Sequence, residues 1–388
     1  MAPRGGVNLS GGEQVTITST QPGSIYYTTD GTTPSASNGA LYTGSIELPV
    51  GAATLLRAVQ ISGETYSETV TAPFRNYGFR PNDTWYDQTT GDAVQAFSGG
   101  ITGPIGGLYY WVGQDDRTEA ISSCCGVQDD QHPLLLYSSP DLYNWSMVGG
   151  ILPNPGYQSL TRAHIVYNAL TSTYVLWSHC AATYETLLAG PNYACIATAP
   201  AVSGPWQWVK LGYDPDGTGF KDDNLFVDAD GTGYVIHTAG CQCGIAIDKL
   251  AADYLSYGGQ NVTAITGGLE DPVMFLRNGV YFLIFGNSTL YASDSQDTNP
   301  RYMTASSPLG PWGGAAAAFA SDPLGTPFNG QPTAIIPVAG TQDGWLYVAD
   351  YWRTPLWTSS HLFLPVVFPT STTLQVQTPA TWDLSYFP

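Results

Sequence analysis

The sequence is poor in charged residues, and positive charge is the scarcest. Only 11% of the 388 residues are charged, and 31 Asp and Glu stand against 12 Lys and Arg, which gives a net charge of −19. A protein of this sign repels phosphate backbones and anionic lipid head groups. We therefore expect neither nucleic acid nor a membrane as a partner, and we favour a neutral ligand.

Long apolar runs and several catalytic motifs are missing as well. No run approaches the ~20 apolar residues of a membrane-spanning helix. The opening stretch MAPRGGVNLSGGEQ has no apolar signal-peptide core, so we expect a mature form behind an added Met. The chain has no G-x-S-x-G, H-E-x-x-H or Walker motif and no dinucleotide fingerprint after a strand. Acyl transfer, metalloproteolysis and nucleotide chemistry therefore lack support.

Neither the cysteines nor the acidic turns predict a metal site. Vicinal Cys-Cys and Cys-Gln-Cys spacings fit zinc badly. Cys180 ends one apolar strand and Cys195 begins the next, which predicts a disulfide across that hairpin. The segment 228–231 (Asp-Ala-Asp-Gly) is similar to a calcium loop, but its twelfth position is Ala239, so we expect a hairpin turn. The other four cysteines, whose pairing stays open, are Cys124, Cys125, Cys241 and Cys243.

Sequons and cysteines favour secretion. The number of cysteines is even, and five Asn-x-Ser/Thr sequons are typical of a glycosylated, secreted eukaryotic protein. The sequons begin at Asn8, Asn82, Asn144, Asn261 and Asn287. We expect an extracellular monomer.

Helical periodicity is almost absent. Short apolar stretches of about 4 to 7 residues alternate with Gly, Pro, Asp and Asn turns, which predicts an all-β protein. We predict a small accessory β-sandwich at 1–74, where apolar and polar residues alternate, and a Gly/Pro/Asn-rich linker at 75–87. Repeated strand–turn–strand patterns at 88–388 predict a five-bladed β-propeller.

Carboxylates stand at the start of two apolar strands. Glu270 and Asp271 open the hairpin GGLEDPVMFLRNGVYFLIFGN at 267–287, and Asp222 holds the same place in FKDDNLFVDADG. In a propeller such strand starts converge at one mouth of the central channel. Two acids surrounded by aromatic side chains suit glycoside hydrolysis, in which one acid protonates the leaving oxygen. The alternative is that these acids only bond to unpaired backbone N–H groups.

Two parts of the chain resemble known families. IYYTTDGTTPSASNGALYTGSIEL, followed by TLLRAVQ, resembles the small β-sandwich at the C terminus of chitobiases and β-hexosaminidases, which implies an accessory module without catalytic residues. Across 88–388, a series of ordered motifs resembles the five-bladed propellers of glycoside hydrolase family 43, in particular the exo-β-1,3-galactanases. These motifs include GLYYWVG, YSSPDLYNW, KDDNLFVDADGTGYVI, LEDPVMFLRNGVYFL and GQPTAIIPV.

The family 43 resemblance implies an inverting hydrolase that needs no cofactor. Glu270 matches the general acid, Asp222 matches the Asp that positions it, and Gln331 matches the Gln proposed to handle water where the galactanases lack an Asp base. Asp271 stands where the galactanases have Ala, and we expect a turn residue there. The implied sugar contacts are Trp352, Trp111 and Tyr110 as stacking faces, with Gln95 and Asp350.

Four positions depart from the galactanase pattern. Phe97 replaces a His, Thr161 and Gln114 replace Glu, and Tyr351 replaces an Arg. Losing polar contacts should change which hydroxyls are recognised. We predict an exo-acting hydrolase of neutral polysaccharide side chains, with β-1,3-galactan first. Arabinofuranosides, xylosides or galactofuranosides are the alternative substrates, and a non-catalytic sugar-binding propeller is the second alternative.

Overall fold

The protein is almost entirely β-structure, as the sequence predicts. The computed structural model describes residues 14–49, 53–75, 79, 84–115, 133–153, 155–156, 159–181, 192–239, 244–287, 300–319, 330–351 and 360–387. Within these ranges the helical content is one 3-10 turn, Leu384–Tyr386. Among the described residues, no helix has the length and apolarity that crossing a membrane requires.

The N-terminal unit consists of two small antiparallel sheets around an apolar core. One sheet has the order β3-β2-β5-β6 with β7 also paired to β5, and the other pairs β1 with β4. Side chains such as Val15, Ile46, Leu56 and Phe74 fill the core. The strands are β1 (Gln14–Val15), β2 (Ser24–Thr28), β3 (Ala40–Leu41), β4 (Ile46–Glu47), β5 (Ala53–Ser62), β6 (Thr65–Tyr66) and β7 (Val70–Arg75).

Five four-stranded antiparallel sheets follow within the described residues, and each takes four consecutive strands in order. The first sheet contains β8 (Ile101–Ile105), β9 (Leu108–Gly113), β10 (Leu134–Ser139) and β11 (Ser146–Leu152). The second contains β12 (Ser159–Asn168), β13 (Thr173–Ala181), β14 (Tyr193–Ala199) and β15 (Gln207–Tyr213). The third contains β16 (Phe220–Val227), β17 (Gly233–Ala239), β18 (Gly244–Leu250) and β19 (Tyr257–Thr266).

The last two sheets repeat this hairpin pattern. The fourth sheet contains β20 (Leu269–Arg277), β21 (Val280–Asn287), β22 (Arg301–Ala305) and β23 (Ala316–Ala317). The fifth contains β24 (Gly330–Pro337), β25 (Trp345–Tyr351), β26 (Ser360–Thr370) and β27 (Thr373–Val376). The first strands of successive sheets contact one another, and β24 also contacts β8.

Each pair of neighbouring sheets encloses its own apolar cluster. Alternate residues of β20 show how this works, because Val273 and Phe275 pack against the fifth sheet while Met274 packs against the third. A strand whose two faces are both buried needs apolar residues at successive positions. The run VMFL therefore reflects burial on both sides.

An aromatic cluster between the fifth and first sheets includes the segment that we predicted to be a linker. Phe79 and Trp85 are 0% and 1% exposed, and Phe79 pairs through its backbone with Trp382. The two rings stack at 4.2 Å between centroids. Phe79 and Trp85 thus lie in the core between the fifth and first sheets, and the bounds of a linker at 75–87 stay a prediction.

The predicted disulfide and acidic turn are both present. Cys180 and Cys195 are bonded across the β13–β14 hairpin, with their Cα atoms 5.9 Å apart. The segment 228–231 forms the β16–β17 turn, in which the backbone of Gly231 donates to the carbonyl of Asp228 at 2.9 Å. The four remaining cysteines lie outside the described residues.

The two cysteines are separated by 15 positions in the sequence. For a closed loop of this length, removing the disulfide should lower the free energy of unfolding by about 3 kcal/mol. The measurement is urea unfolding of Cys180→Ala, Cys195→Ala and the double variant. Either single change already breaks the bond, so the double variant should be little worse than each single one. Additive losses would contradict a shared bond.

Candidate active site

The first strands of the second, third and fourth sheets each contain a bulge near their start. Arg162, Asp222 and Asp271 have φ values of +56°, +37° and +59°, and strand pairing shifts register at each of them. A left-handed backbone costs a non-glycine residue about 1 kcal/mol or more. The bulge breaks the regular alternation of side chains, so these three side chains turn toward a common point.

Arg162 lies at the centre of this point and is 2% exposed. Its Nη2 donates to Gln331 Oε1 at 2.7 Å and to an oxygen of Asp271. Its Nη1 donates to the carbonyl of Pro332 at 3.1 Å, and its Nε lies 3.3 Å from Asp222 Oδ1. One guanidinium therefore connects the first strands of the second, third, fourth and fifth sheets.

Neighbouring carboxyl groups keep the Arg162 side chain positively charged. Burial alone lowers the pKa of a guanidinium, but Asp271, Asp222, Asp350 and Glu270 together raise the pKa of Arg162 above its ordinary value. The side chain therefore stays cationic. It partly offsets the repulsion between four carboxyl groups that share one buried region.

Glu270 is a buried carboxyl group of this cluster whose pKa is strongly raised. It is 2% exposed, and burial, followed by the charges of Asp222 and Asp271, raises its pKa to about 9 against the opposing effect of Arg162. A carboxyl group with this pKa is protonated at neutral pH. The raised pKa of Glu270 is compatible with the predicted role of general acid, which stays a prediction.

Asp271 is not the turn residue that we predicted. Its side chain is fully buried and forms an ion pair with Arg162. Burial raises the pKa of Asp271, and the guanidinium opposes that shift. The bulge is the physical reason, because it turns Asp271 inward beside Glu270 where a regular strand would point the two side chains in opposite directions.

Asp350 lies on the side of the cluster formed by the fifth and first sheets. It is 1% exposed, and its oxygens accept from the backbone N–H of Ser98 at 2.6 Å and from His361 Nδ1 at 2.9 Å. The ring of Phe97 stacks on His361 at 4.4 Å between centroids. Asp350 is therefore held between the backbone of Ser98 and the ring of His361, and a direct sugar contact by Asp350 stays a prediction.

Thr161 stands where the galactanase pattern has a Glu, and its hydroxyl group faces a histidine. Its hydroxyl lies 3.1 Å from His179 Nδ1, and His179 Nε2 lies 2.9 Å from Asn192 Oδ1. Burial lowers the pKa of His179. This corner of the site therefore holds a chain of neutral hydrogen-bonding groups where the family pattern has a carboxylate.

The segment AFSGGI at 96–101 packs closely against this cluster. A Cβ atom on Gly100 would lie 2.2 Å from His164 Cδ2, so only glycine fits. His164 in turn lies 2.9 Å from the carbonyl oxygens of both Arg162 and Thr333. Glycine here lets the first sheet approach the second and fifth sheets beside Arg162.

The residues that we predicted to contact sugar differ from one another in burial and in location. Trp111 is 1% exposed and packs edge-on against Trp145 and His361, so a stacking face for sugar is wrong for it. Tyr110 is half-buried and packs against the cluster between the first and second sheets. Trp352 lies outside the described residues. Gln95, also predicted to contact sugar, is 5% exposed.

Sequence reasoning gave no role to Arg162 or His361. Arg162 follows Thr161 near the start of β12, and it holds the bulged position that Asp222 and Asp271 hold in β16 and β20. A lone base at that place in a chain with 12 bases was the available signal. For His361, next to the start of β26, the sequence offered no comparable signal.

The cluster has the groups needed for acid–base chemistry on a neutral substrate. Glu270 has a raised pKa to which the charge of Asp222 contributes after burial, the Asp222 side chain is 18% exposed, and Gln331 presents an amide. Arg162 only donates hydrogen bonds, so the amide oxygen of Gln331 must face it. Among the described residues, the one group of His and Asp side chains spaced for a metal ion is Asp216, His237 and Asp248, which includes no member of this cluster.

Two family descriptions match the chain. "Glycosyl hydrolases family 43" matches residues 108–318, more than half of the chain. "Chitobiase/beta-hexosaminidase C-terminal domain" matches residues 3–72. No curated protein matches the chain at a significant level.

Solved structures of family 43 proteins resemble this one. A β-1,3-galactosidase has 25% identity and a TM-score of 0.67, and the match covers 80% of this chain and 64% of the galactosidase. A second β-1,3-galactosidase, solved with galactodeoxynojirimycin, has 25% identity and a TM-score of 0.66, with 79% of this chain and 100% of that one covered. An exo-β-1,3-galactanase from Clostridium thermocellum has 25% identity and a TM-score of 0.64, with 77% and 64% covered.

Replacing Arg162 by Met should lower the free energy of unfolding by about 3–5 kcal/mol, because buried carboxylates lose their compensating cation. Adding Asp271→Asn to Arg162→Met should restore part of that loss by removing one of these charges. The measurement is chemical denaturation at neutral pH.

The matched control is Asp343→Asn, which breaks the ion pair of Arg277 with an Asp343 side chain that is 42% exposed. This surface change should cost about 1 kcal/mol or less. Equal losses for Arg162→Met and Asp343→Asn, or no recovery in the double variant, would contradict a central role for Arg162.

Proposed function

Because the chain belongs to family 43 of the glycosyl hydrolases, we propose that it is an exo-acting, inverting glycoside hydrolase of neutral polysaccharide side chains, with β-1,3-galactan as the first substrate. The observation that carries this proposal is the burial of Glu270 in the carboxyl cluster around Arg162, where burial and the charges of Asp222 and Asp271 raise its pKa. A sugar-binding protein has no need for a carboxyl group held in its acid form at neutral pH.

We also infer that the five sheets are the blades of a five-bladed propeller. Contacts between the first strands of successive sheets, including β24 with β8, support this arrangement. In a propeller those strands line the central channel. The cluster around Arg162 would then lie in that channel.

In the proposed reaction Glu270 protonates the glycosidic oxygen as the bond to the anomeric carbon breaks. Water attacks that carbon from the opposite face, loses a proton and leaves an inverted sugar. Asp222, held by Arg162, positions Glu270 and keeps its pKa high. Gln331 orients the water, and because a neutral amide is a poor base, the proton must leave through a relay.

The galactan preference rests on the similar β-1,3-galactosidases and galactanase. A different sugar is the second candidate, because Phe97 stacks on His361 and Thr161 bonds to His179 where the galactanase pattern has groups that can bond to sugar hydroxyls. An arabinofuranoside, a xyloside or a galactofuranoside would then be the substrate. The non-catalytic alternative keeps sugar binding without turnover.

Extracellular location, a monomeric state and glycosylation also remain part of the proposal. The Cys180–Cys195 bond supports an oxidising, extracellular setting. The N-terminal unit is proposed to brace the propeller as an accessory module.

Glu270→Gln should reduce turnover at least about a thousandfold, on the scale of losing a member of a catalytic unit. The assay is release of reducing sugar from β-1,3-galactan, arabinans, xylans and aryl glycosides. Glu64→Gln, an exposed Glu in the N-terminal unit, is the matched control and should retain activity. Glycan binding without turnover in the unmodified protein would identify a lectin instead.

Activity should fall as pH rises through the pKa of Glu270, about 9, because only the protonated form donates. Asp271→Asn should move this fall in kcat/KM to lower pH, since the Asp271 charge raises the pKa of Glu270. Asp343→Asn should leave the profile in place. A fall that stays fixed or moves upward in Asp271→Asn would contradict this assignment of the acid.

A further inference from the structure

The third sheet buries a His–Asp pair that the proposed reaction does not use. His237 on β17 and Asp248 on β18 are both 0% exposed, and His237 Nε2 lies 3.4 Å from Asp248 Oδ2. The ring of Phe220 stacks on His237 at 4.9 Å between centroids. The pair therefore lies in surroundings where an uncompensated charge is costly.

The hydrogen bonds of His237 show which nitrogen is available. Its Nδ1 lies 3.2 Å from the carbonyl oxygen of Thr238. A carbonyl only accepts, so Nδ1 carries the hydrogen and Nε2 presents a lone pair toward Asp248. A backbone carbonyl that fixes the tautomer in this way is the usual outer partner of a metal-binding histidine.

Asp248 needs a positive partner. Among the described residues, none donates a hydrogen bond to an oxygen of Asp248 or to His237 Nε2. The one close approach is the 3.4 Å distance between Asp248 Oδ2 and His237 Nε2. Two electron-pair donors that face each other in a buried site require a cation between them, either a proton or a metal ion.

A third ligand comes from the loop before β16. Asp216 is half-buried, and one of its oxygens lies within 4.8 Å of the ligand atoms of His237 and Asp248. The loop is shaped by Asp216 Oδ1, which accepts from the N–H and hydroxyl of Thr218 at 2.9 and 2.6 Å. Asp216 also gives an ion a path from solvent.

The separation of the two buried ligands fits a small tetrahedral ion. Ligands at about 2.0–2.1 Å from Zn²⁺ lie about 3.3–3.4 Å apart in a tetrahedron, which matches the observed 3.4 Å. Ca²⁺ at about 2.4 Å could give the same separation at a right angle, but it prefers oxygen ligands. An imidazole nitrogen with two carboxylates favours a transition metal or zinc.

We propose that His237, Asp248 and Asp216 form a zinc-type divalent metal site, with water completing the coordination. The bound ion would neutralise Asp248 and tie the loop 214–219 to the third sheet. This site would stabilise the fold and take no part in the proposed hydrolysis, so it stands independently of that function.

The test begins with full-length protein stripped by a chelator and then dialysed. One equivalent of Zn²⁺ should bind at this site and raise the melting temperature. Ca²⁺ and Mg²⁺ should neither bind there nor raise the melting temperature. Asp248→Asn and His237→Gln should each weaken binding at least about a hundredfold, and Asp216→Asn about tenfold, on the scale of losing partners around a metal. Competition titration and metal analysis supply the affinities.

Two controls distinguish zinc binding at this site from zinc binding elsewhere on the protein and from misfolding of a variant. Asp230→Asn, in the exposed β16–β17 turn, should bind Zn²⁺ as the unmodified protein does. Asp216→Asn leaves the buried pair intact and its new amide oxygen can still accept from Thr218, so a folding defect would not account for weaker binding. Co²⁺ spectra without thiolate bands would exclude the cysteines as ligands.

Three results would overturn the proposal. The first is a stripped protein whose stability and metal content do not respond to Zn²⁺, which would leave a simple His–Asp pair. The second is equal affinity in all the site variants. The third is stabilisation by Ca²⁺ alone.

Discussion

The ion-pair network of Arg162 is the interaction on which the rest of the site depends. Four buried or partly buried carboxyl groups, Asp222, Glu270, Asp271 and Asp350, contribute to the field at one guanidinium. Without it their mutual repulsion and desolvation would lose the cation that pairs directly with Asp222 and Asp271. Arg162 opposes the rise in the pKa of Glu270 that burial and the neighbouring carboxylates cause, so one contact network links the packing of the sheets to the proposed chemistry.

The bulges explain how such a network can form in strands that are otherwise apolar on both faces. A regular strand alternates its side chains and would send Glu270 and Asp271 into different interfaces. Left-handed residues at Arg162, Asp222 and Asp271 instead turn polar side chains toward one point. The strain of each bulge is offset by the hydrogen bonds and ion pairs that it makes possible.

Polar chemistry is distributed unevenly over the five sheets. The second to fifth sheets meet at Arg162, whereas the third sheet holds a separate buried pair, His237 and Asp248, that faces the loop of Asp216. The first site is built from first strands and the second from middle strands. The third sheet therefore contributes residues to both polar sites, and the two sites share no residue.

Local pattern was sufficient for much of this protein. The sequence by itself determined the all-β architecture, the hairpins and the Cys180–Cys195 bond, because turn residues, strand length and short spacing are properties of adjacent residues. It also singled out Glu270, whose role as the acid stays a prediction. Only the tertiary structure decided that Trp111 is core, that Asp271 is an ion-pair partner and that Arg162 is the centre of the site. Each of these depends on contacts between residues far apart in the chain and on a one-residue bulge that reverses which way a side chain points.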